Sequence, residues 1–368
     1  MEYYLRMLER ELLARSYRVE VLSPKARLGF LPTSSKLVSK LMAACDKLLI
    51  FPMELRRAVW RLRKSGPVVV HIIDPGYAMY TRHLQNVPNL VTVHDLMTLQ
   101  AVRGEFPERQ ETRGTGVYQE MILSGLRKAG LLVAVSQMTR DTLVRLSGIP
   151  QSSIRVIYNA PHHPYAPMPQ EAAAECMERE FSARGSSSLS FFLHVGINTW
   201  YKNREGVIRI FAACLAREPT LPHLLVMIGP PLPPELLELA GQLGIAERLI
   251  GMSGLSHDSL KAAYSIAEAL IFPSWHEGFG WPIIEAQSCG CPVFTTNRPP
   301  MTEVGGDGVA VFDPSDPDSA AAVVLDGLRD REALRERGFA NASRFKVSTM
   351  MEQYLEAYSS LAGQAEGS

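Results

Sequence analysis

Short apolar runs recur along the chain, separated by longer stretches in which apolar positions return every three or four residues. Residues 19–22, 68–73, 90–93, 131–135, 191–195, 224–228, 270–272, 292–295 and 309–312 are mostly apolar, with at most one polar residue in each run. Runs of that length read as strands buried on both faces. Between them, residues 206–216, 234–243 and 259–266 carry helical spacing. Strands alternating with helices predict parallel sheets covered on both sides, the doubly wound α/β class. The alternation breaks over 160–189, where APHHPYAPMPQ leads into an Ala/Glu-rich stretch and then SARGSSSLS. Proline first and small polar residues later is linker chemistry. The pattern therefore predicts two Rossmann-like domains, 1–163 and 190–347, joined by a linker over 164–189. They are expected to face a central cleft, a usual place for a ligand. An amphipathic stretch, 348–362, follows the second domain and is expected to pack back on the first.

Composition narrows the function classes. A chain of 368 residues exceeds what one hydrophobic core supports. Lys+Arg and Asp+Glu both total 38, and a balanced charge argues against a nucleic-acid partner. Five cysteines lack paired ligand spacing, Cys289 and Cys291 forming C-x-C rather than C-x-x-C. No metal site is expected from them, and they read as small buried residues of a reducing compartment. No apolar run approaches the roughly 20 residues that span a bilayer. The opening MEYYLRMLERELLARS alternates charge and apolar residues unlike a signal peptide, so the expected location is cytoplasmic. Residues 25–64 hold ten basic and two acidic residues interleaved with Leu, Phe, Met and Trp. Such a stretch is either a solvated helical face or a patch that rests on the inner face of an anionic membrane.

The segment FPSWHEGFGWPIIEAQSCGCPV concentrates the candidate chemistry. Glu277 and Glu285 stand eight positions apart, with Gly278, Gly280 and Pro282 between them. That order predicts a strand end, a glycine turn and the first turn of a helix, with proline at its first position. Glycines let a ligand approach the backbone closely, and the free N–H groups of a helix start can hold phosphate. Two carboxylates flanking an anion site could bracket a charged ligand that also carries hydroxyls, such as a nucleotide sugar. Each residue also has a plainer reading. Glu285 could complement the helix macrodipole, Glu277 be a solvated turn residue, Lys202 a surface charge and His194 a core histidine.

HEGFGWPIIEAQSCGCPV resembles the signature of retaining nucleotide-sugar glycosyltransferases of the family-4 type, which have the GT-B fold. Four further stretches agree in order: VTVHDL, VAVSQMTRDTLVRLSGIPQSSIRVIYNA, HVGINTWYKN and LIGMSGLSHDSLKAAYSIAEALIFPS. The resemblance implies a retaining hexosyltransferase with a nucleoside-diphosphate sugar as co-substrate and no cofactor. Glu277 would lie against the donor sugar, and Glu285 would accept hydrogen bonds from the ribose. Amides around Gly278, Phe279 and Gly280 would hold the distal phosphate. Lys202 would neutralise the diphosphate, Gly196 would let it approach, and His94 would touch the sugar from the first domain. Met252 and Ser253 would border the base. Likeness to bacterial mannosyltransferases of surface polysaccharide leans the donor toward GDP-mannose, with UDP-sugars open. The acceptor would be a glycan or a lipid-linked glycan. Two departures stand out. Tyr201 occupies a position where arginine is usual, with Arg204 a candidate substitute. The family's first strand and its glycine loop are absent, which points to a misassigned start or a truncated chain. The first of these is favoured, since a sheet without its central strand exposes two edges. A non-catalytic binding subunit, an epimerase and a phosphorylase of the same fold remain alternatives.

Overall fold

The computed structural model describes residues 1–29, 35–106, 112–182, 190–221 and 224–366. The chain forms two compact units, one of Met1–Val135, Thr139–Ile157 and Met351–Ser368, the other of Ser136–Met138 and Tyr158–Met350.

In the first unit β1 (Val70–Ile72), β2 (Asn89–Val93), β3 (Leu131–Ala134) and β4 (Ile154–Val156) form a parallel sheet in that order. All five residues of β2 are buried, as a parallel strand covered on both faces requires. The C-terminal helix Val347–Glu366 supplies phenols to polar groups in this core. The Tyr354 hydroxyl shares hydrogen bonds with Tyr4 at 2.7 Å and Thr92 at 3.0 Å. Thr92 in turn meets His71 Nε2 at 2.7 Å, and His71 Nδ1 meets the Tyr358 hydroxyl at 2.8 Å. Each hydroxyl and ring nitrogen of this hydrogen-bonded series thereby gains a partner, without which its burial would cost free energy.

Residues 19–22, expected as a strand, are not one. They run without strand pairing, and Val21 and Leu22 are exposed. Their apolar pattern suits a strand, but strand formation needs a neighbour to take the backbone hydrogen bonds. β1 pairs with β2 alone. Both segments line a cavity of 670 Å³, together with Leu8, Leu55 and Val59.

The second unit holds β5 (Phe191–Val195), β6 (Leu224–Ile228), β7 (Leu249–Met252), β8 (Ala269–Phe272), β9 (Val293–Thr296) and β10 (Val309–Phe312). The sheet is parallel, in the order β10-β9-β8-β5-β6-β7. From β5 the chain winds outward through β6 and β7, then returns to β8 and winds the other way. The reversal lies between β5 and β8, and ligands of open α/β sheets bind outside the strand ends at such a switch point. Apolar clusters cover both faces, one around Phe191, Leu193 and Leu270, the other around Phe192, Phe211 and Phe294.

The stretch expected as a linker differs from that expectation. Residues 170–182 form the helix Gln170–Ser182, with Ala173, Met177 and Phe181 fully buried in the second unit's core. Their four-residue spacing is a helical stripe, which the flanking proline and serine runs mask in a composition reading. Residues 183–189 of the expected linker lie outside the described residues. Among the described residues no helix is long and apolar enough to cross a membrane.

Candidate functional site

The ends of β5 and β8 bring the candidate residues of the second unit together. After β8 the chain turns at Gly280, whose φ of +100° is left-handed backbone that side chains rarely adopt. The helix Trp281–Cys289 follows, with Trp281 at its first position and Pro282 at the second rather than the first. Its N-cap is Gly280, with no side chain to satisfy the first amides. Pro282 has no N–H and Ile283 N–H donates to the Gly280 carbonyl at 3.0 Å, so it is the backbone of the Gly280 turn and the positive end of the helix that can attract an anion.

After β5 the backbone approaches β6 closely. Gly196 N–H donates to Ile228 at 3.0 Å, and a Cβ on Gly229 would lie 2.1 Å from the Gly196 carbonyl oxygen. A Cβ on Gly196 itself would stand 2.9 Å from His194 Nε2. Both positions therefore require glycine. Asn203 then takes a left-handed conformation, φ +49°. Its side chain accepts from Gly206 N–H at 3.1 Å and donates to the Pro273 carbonyl at 3.0 Å. Trp275 N–H donates to the Tyr201 carbonyl at 2.7 Å. These bonds tie the loop carrying Lys202 to the segment carrying Glu277.

As a result Lys202 Nζ lies 2.7 Å from Glu277 Oε1, with side chains only 12% and 9% exposed. That oxygen has no well-angled hydrogen-bond donor, so the contact is an ion pair first. The ammonium also lies 5.0 Å from the centroid of the Phe272 ring, within cation–π range. The surface-charge reading of Lys202 and the solvated-turn reading of Glu277 do not fit this burial.

Glu285 sits in the second turn of its helix, not the first, and is 4% exposed. Stabilising the helix dipole does not explain a carboxylate there. Tyr264, from the helix His257–Ile266, donates its hydroxyl to Glu285 Oε2 at 3.0 Å. His162 Nδ1 stands 3.8 Å from Oε1, beyond hydrogen-bond reach. Burial pushes the Glu285 carboxyl up to about 7, with the Tyr264 hydrogen bond and the Lys202 charge opposing the rise. His162 is pushed down to about 4 by burial and by the neighbouring His257 and His163.

Other expected residues take different places. Arg204 is buried, and its guanidinium donates to Asn198 Oδ1 and to the Pro230 carbonyl. Its Nε and its other terminal nitrogen have no hydrogen-bond partner. It thus fastens the loop after β5 to the loop after β6. The Met252 side chain is buried in the core, leaving only its backbone for any ligand, whereas Ser253 is exposed. Phe279 is buried against Tyr158, Trp281 and Phe345, and Trp281 donates its indole N–H to Ala160 at 3.2 Å. His194 is fully buried and donates from Nδ1 to Ile271 at 3.0 Å, a core histidine. His94 belongs to the first unit. It follows β2, is 8% exposed, and its Nε2 donates to the Ile73 carbonyl at 3.0 Å. Burial pushes its imidazole down to about 4. It is therefore neutral near pH 7.

Asn203 and Tyr264 were not singled out from the sequence. Asparagine ahead of a helical run is a usable signal for a left-handed cap. A tyrosine inside LKAAYSI offers none, since it reads as core.

Two family models match the chain, Glycosyltransferase Family 4 over residues 1–161 and Glycosyl transferases group 1 over 178–344. O-antigen chain mannosyltransferase B of Escherichia coli is 28% identical over 82% of this chain and 77% of its own length. The serotype-specific mannosyltransferase WbdA of Escherichia coli is 26% identical over 82% of this chain, which spans 39% of that protein. Among solved structures, Anabaena HepE in complex with UDP and glucose superposes with a TM-score of 0.69 at 18% identity. It covers 86% of this chain and 83% of its own. Sucrose-phosphate synthase from Thermosynechococcus elongatus gives 0.67 at 18% identity, over 87% and 80%.

Proposed function

Since the chain belongs to the family-4-type glycosyltransferases of GT-B fold, we propose that it transfers a hexose from a nucleoside diphosphate to a glycan or lipid-linked acceptor, with retention of anomeric configuration. The observation that carries this reading is the buried Lys202–Glu277 pair, held between the two strand ends at the sheet's switch point. When the anomeric C–O bond breaks, its electron pair leaves with the diphosphate. Lys202, the amides around Phe279 and Gly280 and the positive end of the helix Trp281–Cys289 neutralise the added negative charge, with no metal ion needed for that task. Glu277 lies against the sugar, and Glu285 accepts hydrogen bonds from the ribose hydroxyls. Ser253 borders the base. The acceptor hydroxyl attacks from the face the diphosphate leaves, which keeps the anomeric configuration. The mannosyltransferase names among the relatives lean the donor toward GDP-mannose and the product toward surface polysaccharide; the UDP in the HepE complex keeps UDP-sugars open.

The test is turnover of GDP-mannose and UDP-glucose in the presence of EDTA, with the anomeric configuration of the product read by NMR. Slow donor hydrolysis that Glu277→Ala abolishes is the expected result. Tight nucleotide binding without turnover under any acceptor condition would instead identify a non-catalytic subunit.

The basic stretch 25–64 supports a second part of the reading, contact with an anionic membrane that presents the acceptor. The helix Lys36–Cys45 buries no residue and exposes Leu37, Val38 and Leu41. The helix Phe51–Arg63 buries Phe51, Leu55 and Val59 but leaves Met53 and Trp60 in solvent. Exposed apolar side chains among ten basic residues suit an anionic lipid surface better than a solvated face. Residues 30–34 of the stretch lie outside the described residues. Binding to anionic vesicles, lost in high salt and in Leu41→Ser/Trp60→Ser, is the expected outcome. Equal binding to neutral vesicles would contradict it.

A further inference from the structure

Glu285 holds its two oxygens in different circumstances. Oε2 accepts the Tyr264 hydroxyl at 3.0 Å, whereas Oε1 faces His162 Nδ1 across 3.8 Å. Tyr264 is fully buried on the helix His257–Ile266, with Tyr165 packed edge-on against its ring at 5.9 Å. That packing holds the phenol ring in place, and the hydroxyl it carries holds Oε2. We propose that Tyr264 is a positioning residue that fixes the plane of the Glu285 carboxylate, so that Oε1 alone is presented to the diol of the nucleoside's ribose. The inference rests on the reading of Glu285 as the ribose acceptor and extends it by naming what aims and charges that acceptor.

The groups facing the carboxylate support the assignment. Burial favours the neutral acid, and the hydroxyl of Tyr264 and the ammonium of Lys202 oppose it. His162 is neutral, and the Cys289 thiol one turn along is held protonated by burial. Tyr264 is thus the one hydrogen-bond donor, among the described residues, that the structure aims at this carboxylate. Removing its hydroxyl frees Oε2 to turn and raises the fraction of carboxyl that is protonated near neutral pH.

The experiment compares GDP and UDP with their 2′,3′-dideoxy forms, by calorimetry across pH 5.5–8.5, on wild type and Tyr264→Phe. The ratio of ribo to dideoxy affinity cancels the titration of the ligand's own phosphate. In wild type the ratio is expected to fall as pH drops through about 7. In Tyr264→Phe the ribo form should weaken about tenfold at pH 7, consistent with a hydrogen bond to a charged group. The dideoxy form should be unchanged, and the pH midpoint of the ratio should move upward. Glu285→Gln, which keeps the shape without the charge, should remove the pH dependence of the ratio. An equal loss of ribo and dideoxy affinity in Tyr264→Phe, or an unmoved midpoint, would overturn the positioning role while leaving Glu285 as the ribose acceptor. A wild-type ratio of one at every pH would overturn the ribose reading and the proposal with it.

Discussion

Lys202→Met should lower kcat/KM by about 10²–10³-fold, the usual effect of losing one group that neutralises a developing anion. It should also destabilise the fold by about 3 kcal/mol, because the Glu277 carboxylate is then left buried without its countercharge. The second effect follows from the 2.7 Å contact and from side chains that are 12% and 9% exposed; an exposed pair would contribute at most about 1 kcal/mol. The double change Lys202→Met/Glu277→Gln separates the two effects. It removes both charges together, so most of the stability should return, while activity stays at the level of the single variant or below. Urea denaturation and initial rates on the same three proteins check this. Full recovery of activity in the double variant, or no stability loss in the single one, would mean that the pair does not have this role.

Glu285→Gln should make the protein more stable above pH 7 while weakening nucleotide binding. The folded carboxyl titrates at about 7, above its ordinary 4.5. As pH rises, the unfolded chain therefore gives up this proton first and the folded chain keeps it until about 7. Stability falls across that window, and the full cost is present above it. A shift of that size corresponds to about 3 kcal/mol. Glutamine cannot ionise, so wild type and variant should be close near pH 4 and diverge by up to that amount by pH 8. Denaturation curves at several pH values read this directly. A buried acid retained at such a cost is what a binding site requires, and a purely structural carboxylate would show the opposite sign of effect on substitution.

Much of the second unit was legible before any coordinates, for a physical reason. β5 and β6 coincide with the runs at 191–195 and 224–228, since a strand covered on both faces is largely apolar; β10 coincides with 309–312 although it lies at the sheet edge with Val311 exposed. β4 escaped because it is three residues long with Arg155 at its centre, only Ile154 being buried. Residues 19–22 failed in the other direction. Their pattern suits a strand, but pairing is a property of neighbours that a local window does not contain. The helix Gln170–Ser182 was hidden by the proline and serine runs on either side of it. In the site, spacing singled out Glu277 and Glu285, and the family resemblance added Lys202 and Gly196. What spacing could not supply was the relation among them. The Lys202–Glu277 contact joins residues 75 positions apart in sequence and depends on the left-handed turn at Asn203. Tyr264 reaches Glu285 from a separate helix, and Arg204 turns toward Asn198 and Pro230.

The most direct test is a crystal structure of the protein with GDP, or with UDP if that binds more tightly. The expected complex has the distal phosphate on the amides around Phe279 and Gly280 and on Lys202 Nζ, with the ribose hydroxyls within hydrogen-bond distance of Glu285. A nucleotide seated elsewhere, with Glu285 and the Lys202–Glu277 pair untouched, would contradict the account.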